Sequence, residues 1–353
     1  MNKYNVVGIM SGTSLDGLDI VWSKLSFNKT WFYEILDGKT YAYSKEWKSE
    51  LQNASRLKAR DLVFLDNKLG NYIGEKVNEF LKEKKIQKSQ IDLISSHGHT
   101  LFHEPDINLT KQIGNGACIC SSTNIKTVSD FRTIDVAFGG QGAPLVPLGD
   151  QLLFGDFKGC LNLGGIANIS YNLNGKRIAG DVNFANMISN YLSNKIGHLY
   201  DKDGELANLG KLDEDLILKL ENLDFYKKEF PKSLGVEDFN QWYKPLFDKS
   251  ESSINDQLYT SGTHLCRTIK NNFKFDTNDT LLITGGGAYN KFWISKLKEL
   301  KIKAVIPEIK LIDFKEALIF SLLGVLKLRN EINILASVTG SSKDLSAGVI
   351  HNP

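Results

Sequence analysis

One pattern occurs twice in this chain, and it constrains the fold more than any other feature. Residues 4–10 are a short apolar run that ends near Gly12; a second run spans 18–25, and an aromatic-rich, loosely alternating run spans 31–44. Runs of this length with period-two character read as strand–turn–strand–strand, the glycine-rich turn lying between the first two. The same arrangement returns at 159–163, Gly164-Gly165, 166–171 and 176–182. Each copy leads into helical periodicity. In the first, residues 47–85 carry Leu51, Leu57, Leu62, Leu65 and Leu69; in the second, helical stretches fall at 187–196 and 214–223. The expectation is an α/β fold made of two duplicated halves.

Smaller features fill in the plan. Residues 92–95 read as a buried strand entering a loop at 97–105, and 280–284 (TLLIT) as a buried strand ending in Gly285-Gly286-Gly287. Residues 314–329 are apolar almost all round, as in a buried helix. The expected boundaries put 1–135 in the first domain, with 336–353 returning to it, and 136–335 in the second.

Composition narrows the function classes. A formal net charge of +2 with intermixed signs lacks the concentrated basic stripe that a phosphate backbone requires, so nucleic acid is not expected as a partner. No apolar run approaches spanning length and the N-terminal run is too short for a signal sequence, so a cytoplasmic protein with no membrane partner is expected. Cys118, Cys120, Cys160 and Cys266 are too few and too irregular for a disulfide framework and read as buried thiols.

The glycine turns carry the chemistry. Residues 8–19 (GIMSGTSLDGLD) place Gly12 and Gly17 where backbone N–H groups can converge on an anion, with hydroxyls from Ser11, Thr13 and Ser14. Asp16 and Asp19 offer hard oxygens for Mg²⁺, directly or through water. A hairpin with a polar tip is the alternative. Asn162-Leu-Gly164-Gly165 reads as a second phosphate cradle or a tight turn. Gly285, Gly286 and Asn290 read as a surface for adenine or ribose, or as a strand-to-helix turn. Two such halves can face a nucleotide placed between them. His97, His99 and His103 invite a metal reading, but no acid at suitable spacing joins them, and a hydrogen-bonding loop beside a substrate fits better. Arg132 suits bidentate carboxylate recognition or a structural ion pair. Asp181, expected at a strand end, reads as a general base or an N-cap, with Asn186 competing for the cap. Glu316 is either a helix-dipole partner or a ligand.

Taken in order, GIMSGTSLDGLD, SSHGHTLFHEP, QIGNG, SDFRTIDVAFGGQGAPLVPLGD, NLGGIANIS, LYDKDGELA, ITGGGAYN, KEALIFSLLG and SVTGS resemble the anhydro-N-acetylmuramic acid kinases over essentially the whole chain. The resemblance implies two ribonuclease-H-like domains around a nucleotide cleft, of the actin and sugar-kinase type. It also implies ATP and Mg²⁺ as cofactors, an anhydro-sugar substrate opened and phosphorylated at O6, and a homodimer. It assigns Asp181 as the catalytic base. Gly12, Thr13, Ser14, Asp16 and Gly17 become the first phosphate loop, Asn162, Gly164 and Gly165 the second, and Gly285, Gly286 and Asn290 the nucleotide-side turn. His97, Arg132 and Glu316 fall on the sugar, and Asp16 toward the metal.

The departures are concentrated in one block. Where the family usually reads Asp-Thr-Gly-Pro-Gly-Asn, this chain has Asp181-Val182-Asn183-Phe184-Ala185-Asn186, and His99 replaces a usual Gln. These changes bear on substrate and turnover more than on fold. They keep open a kinase for another sugar and a nucleotide-binding sensor without catalysis; a metal-dependent hydrolase on His97, His99 and His103 ranks last.

Overall fold

A computed structural model describes residues 2–12, 15–273, 276 and 278–353. The chain divides into two compact units, Met1–Leu153 with Phe314–Pro353, and Phe154–Asp313. Residues 136–153 and 314–335, assigned to the second half on sequence, therefore pack within the first unit. The reason is local. Gly149 lies against Ile319, buried Asp150 pairs with Lys315, and Gly8 lies against Ala317, so both segments rest on the first sheet.

In the first unit, β1 (Asn2–Ser11), β2 (Gly17–Asn28) and β3 (Thr30–Ala42) form the expected antiparallel meander. β4 (Leu93–Glu104) joins β1 in parallel, β5 (Leu109–Ile113) pairs antiparallel with β4, and β6 (Thr127–Ser129), preceded by α3 (Gly116–Thr123), lies parallel beyond β4. The C-terminal strand Val349–His351 closes the edge, giving the order C-terminal strand–β6–β4–β1–β2–β3 among the described residues. Alternation along β1 explains the layers. Val7 and Ile9 join a core with Leu65, Leu69, Ile73, Val77 and Phe80 of α2 (Ala59–Glu83). Gly8 points the other way, where a Cβ would sit 2.1 Å from the carbonyl oxygen of Ala317. The helix Ile309–Leu328 thus lies directly on β1 and tolerates no side chain there. The helical region read as 47–85 is split: α1 (Lys45–Asn53), capped by the Ser44 side chain, is separated from α2 by a short 3-10 turn. The loop expected at 97–105 is largely strand, because His97 and His99 face inward and are buried.

The second unit repeats the plan. β7 (Gly159–Leu163), β8 (Ile166–Leu173) and β9 (Lys176–Phe184) form an antiparallel meander, and β10 (Thr280–Thr284) and β11 (Lys303–Val305) extend it in parallel, in the order β11–β10–β7–β8–β9. β10–β7–β8–β9 thus has the same pairing senses as β4–β1–β2–β3. The duplicated α/β class read from the sequence is present in the structure. The β8–β9 hairpin turns on Asn174-Gly175, both at positive φ, as a right-twisted two-residue turn requires. Leu161, Leu163, Ile169 and Val182 pack with α5 (Ile254–Asn272) and α6 (Lys291–Glu299), while α4 (Asn186–Asn194) follows β9. Strand β9 runs on to Phe184, so Asp181 lies within it rather than at its end. Among the described residues, no helix is long and apolar enough to cross a membrane.

Candidate active site

In the first unit the site is built where β1 and β4 meet the turn that follows β1. Leu15 N–H donates to Gly12 O at 3.3 Å, Asp16 is exposed, and Gly17 begins β2 opposite Ala42. Thr13 and Ser14, expected in the first phosphate loop, lie outside the described residues. Ser11 ends β1 with its hydroxyl 2.8 Å from Tyr43 OH and 3.1 Å from His99 Nδ1. No sequence motif points to Tyr43; it lies just beyond β3 and is buried.

His97 and Arg132 are hydrogen-bonded, and Glu316 lies within electrostatic reach of Arg132. His97 Nδ1–H donates to Gly98 O at 2.9 Å, so Nε2 is free to accept from Arg132 Nε at 3.1 Å and Nη2 at 2.8 Å. Burial first, and then the Arg132 charge, hold this imidazole neutral, with its pKa well below the ordinary histidine range. Burial also lowers Arg132 to about 10, against the opposing pull of Glu316 and Asp135. Arg132 Nη1 donates to Gly142 O at 2.5 Å, so these hydrogen bonds run to a ring nitrogen and a carbonyl. Burial raises Glu316, with Lys315 and Arg132 pulling down. Glu316 lies seven residues into its helix, too deep for a dipole partner at the N-terminus. A cavity of about 190 Å³ reaches His97 and Gly98 and is also lined by Gln112, Asn115, Ser129 and Asp130 of the QIGNG and SDFR segments. His103 is turned to Thr110 Oγ1 at 3.2 Å. Among the described residues no group of three His, Cys, Asp or Glu is arranged to hold a metal ion.

In the second unit, the parallel neighbours β7 and β10 end side by side, with Asn162 opposite Thr284. Gly285 takes φ 80°, and a Cβ there would lie 2.6 Å from Asn162 Oδ1 and 2.9 Å from the Leu163 carbonyl. Only glycine permits that approach. The Gly164-Gly165 turn receives the start of α4: Asn186 N–H donates to Gly164 O at 3.1 Å, and the N–H groups of Ala185 and Met187 donate to Gly165 O. Asn186 is not the cap; its Nδ2 donates to Leu163 O at 3.0 Å. Gly286 faces Asn186, whose Nδ2 would lie 3.7 Å from an added Cβ. The structure thus gathers Asn162, Gly164, Gly165, Gly285 and Gly286 at the carboxyl ends of two parallel strands beside a helix start, the setting in which α/β folds receive nucleotides. Asn290 is buried and caps α6, its Oδ1 accepting from Trp293 N–H.

Asp181 belongs to the edge strand β9. Its N–H donates to Lys232 O at 2.8 Å, and its Oδ2 accepts from Leu234 N–H at 2.8 Å. Burial pushes its pKa up to about 6, with the Leu234 N–H pulling the other way. A carboxylate that changes state near neutrality, with one oxygen held in place, has the properties of a general base. Leu234 acts through its backbone 53 residues away, so no side-chain motif could have pointed to it.

Two sheets on one strand plan, with glycine turns at the ends of their central strands, define a duplicated α/β protein of the sugar-kinase type. A sequence profile of anhydro-N-acetylmuramic acid kinase matches residues 4–353. The chain belongs to that family. It is 33% identical over 369 residues to the anhydro-N-acetylmuramic acid kinase of Aliivibrio fischeri, covering 99% of both chains. It is 34% identical over 372 residues to that of Clostridioides difficile, covering 98% of this chain and 97% of the relative. Among solved structures, component A of the (R)-2-hydroxyglutaryl-CoA dehydratase of Acidaminococcus fermentans is 13% identical, with a TM-score of 0.46 over 92% of this chain and 99% of that one.

Proposed function

We propose that this protein opens 1,6-anhydro-N-acetylmuramic acid with water and transfers the ATP γ-phosphoryl group to O6, giving N-acetylmuramic acid 6-phosphate and ADP in cell-wall recycling. The observation that carries this reading within a full-length family match is Asp181, a half-buried carboxylate poised near pH 6 and held by Leu234 N–H. In this reading Asp181 takes a proton from water as the water oxygen bonds to C1. The C1–O6 bond breaks, O6 bonds to the γ-phosphorus, and the bond from that phosphorus to the β–γ bridging oxygen breaks, leaving ADP. Arg132, kept cationic by Glu316 and Asp135 and oriented by His97, is the partner for the lactyl carboxylate, and Glu316 contacts the sugar.

Gly12, Thr13, Ser14 and Gly17, with Asn162, Gly164 and Gly165, would hold the phosphates, and Gly285, Gly286 and Asn290 the nucleoside. The exposed carboxylate of Asp16 is a hard oxygen donor suited to Mg²⁺, whereas Asp19 Oδ1 already accepts from Thr40 Oγ1. When bound, Mg²⁺ supplies charge neutralisation at the phosphates. A cytoplasmic location and a homodimeric state belong to the same reading.

The test is incubation with the anhydro sugar, ATP and Mg²⁺ in ¹⁸O-water. The expected product is a 6-phosphate with the label at the C1 hydroxyl, absent with Asp181→Asn. ATP binding without phosphoryl transfer to this sugar, alongside transfer to another, would move the assignment to a different sugar kinase.

A further inference from the structure

The block that departs from the family motif carries a second feature, on the opposite face of β9 from Asp181. Pairing between β8 and β9 slips at one point: Asn168 faces Asp181, Ala167 faces Asn183, and Val182 is left as the extra residue. In a regular strand residues two apart share a face. Here the bulge separates them. Asp181 goes to the side of exposed Asn168, and Asn183 to the side of buried Ala167. Bulges beside active sites re-aim side chains in this way.

Asn183 is fully engaged on that buried side. Its Nδ2 donates to His264 Nδ1 at 3.1 Å and to Thr268 Oγ1 at 3.2 Å, both on α5. His264 is fully buried and its pKa is pushed down to about 3, so the imidazole is neutral and can accept. Thr268 passes its own proton to His264 O at 2.7 Å. Asn183 Oδ1 accepts from Tyr226 OH at 2.6 Å, which accepts in turn from Tyr243 OH at 2.6 Å. The carboxamide is thus held from both sides, its nitrogen by α5 and its oxygen by the Tyr226–Tyr243 pair.

The segment carrying Tyr226 also holds Asp181. It is joined to β9 by Tyr226 OH on Asn183, by Lys232 O on Asp181 N–H, and by Leu234 N–H on Asp181 Oδ2. We propose that Asn183 is a positioning residue for Asp181: its carboxamide ties the Val182 bulge to α5 and to the 226–234 segment, and so aims the Asp181 carboxylate at the Asn168 face. This rests on Asp181 being the base. The titratable groups on and around β9 include Lys176 and Arg177 on the strand, Tyr171 on β8, Lys232, Tyr226 and Tyr243 on the covering residues, and His264 on α5. The ionisation of Asp181 is set by burial against the Leu234 N–H.

The experiment uses the full chain with Asn183→Ala and Tyr226→Phe, the second retaining the ring if the first folds poorly. The kcat and KM for the anhydro sugar and for ATP are measured from pH 5 to 9. The expected result for Asn183→Ala is a kcat lower by about tenfold or more, since small misplacement of a reacting group is costly, with the ATP KM unchanged. Its acid limb moves to lower pH as water reaches the loosened carboxylate, and Tyr226→Phe moves it the same way by less. An acid limb that stays at the wild-type pH in both variants overturns the proposal, whatever happens to kcat. Asp181→Asn separates the two levels: wild-type turnover there removes the base assignment, and with it this inference, whereas an inactive Asp181→Asn beside an unmoved limb removes only the positioning role.

Discussion

Replacing the Asp181 carboxylate should strengthen the fold while abolishing turnover, and the size of the gain follows from its setting. The group ionises at 3.8 when unperturbed and at about 6 in the folded chain, with burial as the cause. A pKa raised by folding means the native state binds the proton more tightly than the unfolded chain. The associated stability is fully present below pH 3.8 and is lost as pH rises through about 6. Each tenfold change in proton affinity is worth about 1.4 kcal/mol, so the charged carboxylate costs the folded state up to about 3 kcal/mol at pH 8. Asp181→Asn removes that cost and still offers an oxygen to Leu234 N–H. The variant should therefore melt higher than wild type at pH 8, by several degrees for a unit of this size, and equal to it near pH 4. Thermal denaturation followed by circular dichroism at pH 4, 6 and 8 reads the difference directly. A Tm difference that does not change between pH 4 and 8, or a variant less stable at pH 8, would refute the reasoning that burial sets this ionisation.

Other perturbations report on the remaining parts. Gly285→Ala forces a side chain into φ 80°, ψ 167° and within 2.6 Å of Asn162 Oδ1; the strain alone is about 1–3 kcal/mol, and titration calorimetry should show ATP affinity reduced by about tenfold or more. Lys315→Met leaves Asp150 buried without its ammonium partner at 3.2 Å, which should cost about 3–5 kcal/mol in urea unfolding, while the double change with Asp150→Leu recovers most of it. Arg132→Lys cannot supply both contacts to His97 Nε2 and the one to Gly142 O, so steady-state kinetics should show the sugar KM raised by about tenfold or more with the ATP KM unmoved.

The parts of this fold that were legible in the sequence are those where one local pattern decides the structure. The two meanders stood out because apolar runs of strand length were interrupted by glycine at matching places, and the glycine turns after β7 and β10 did converge. What stayed hidden was set by partners distant in the chain. The full length of β4 is hidden because two histidines break its apolar run, yet His97 is satisfied by Arg132 and His99 by Ser11, which makes their burial affordable. Helix α5 is hidden in the sequence because Gln257, Thr260, His264 and Thr268 interrupt its apolar stripe. Two of those polar residues are buried because Asn183 needs them. The same logic revises the reading of 181–186. The motif glycines are replaced without backbone strain: β9 runs through Asn183, and Ala185 sits at φ −121°. The substituted asparagine therefore does not imitate a glycine; it exchanges backbone freedom for a buried anchor. An anchor lowers the entropy of the strand that carries the carboxylate, where a glycine would raise it. The departure is thus consistent with a chain that holds Asp181 by packing and hydrogen bonds rather than one that has lost the use of it.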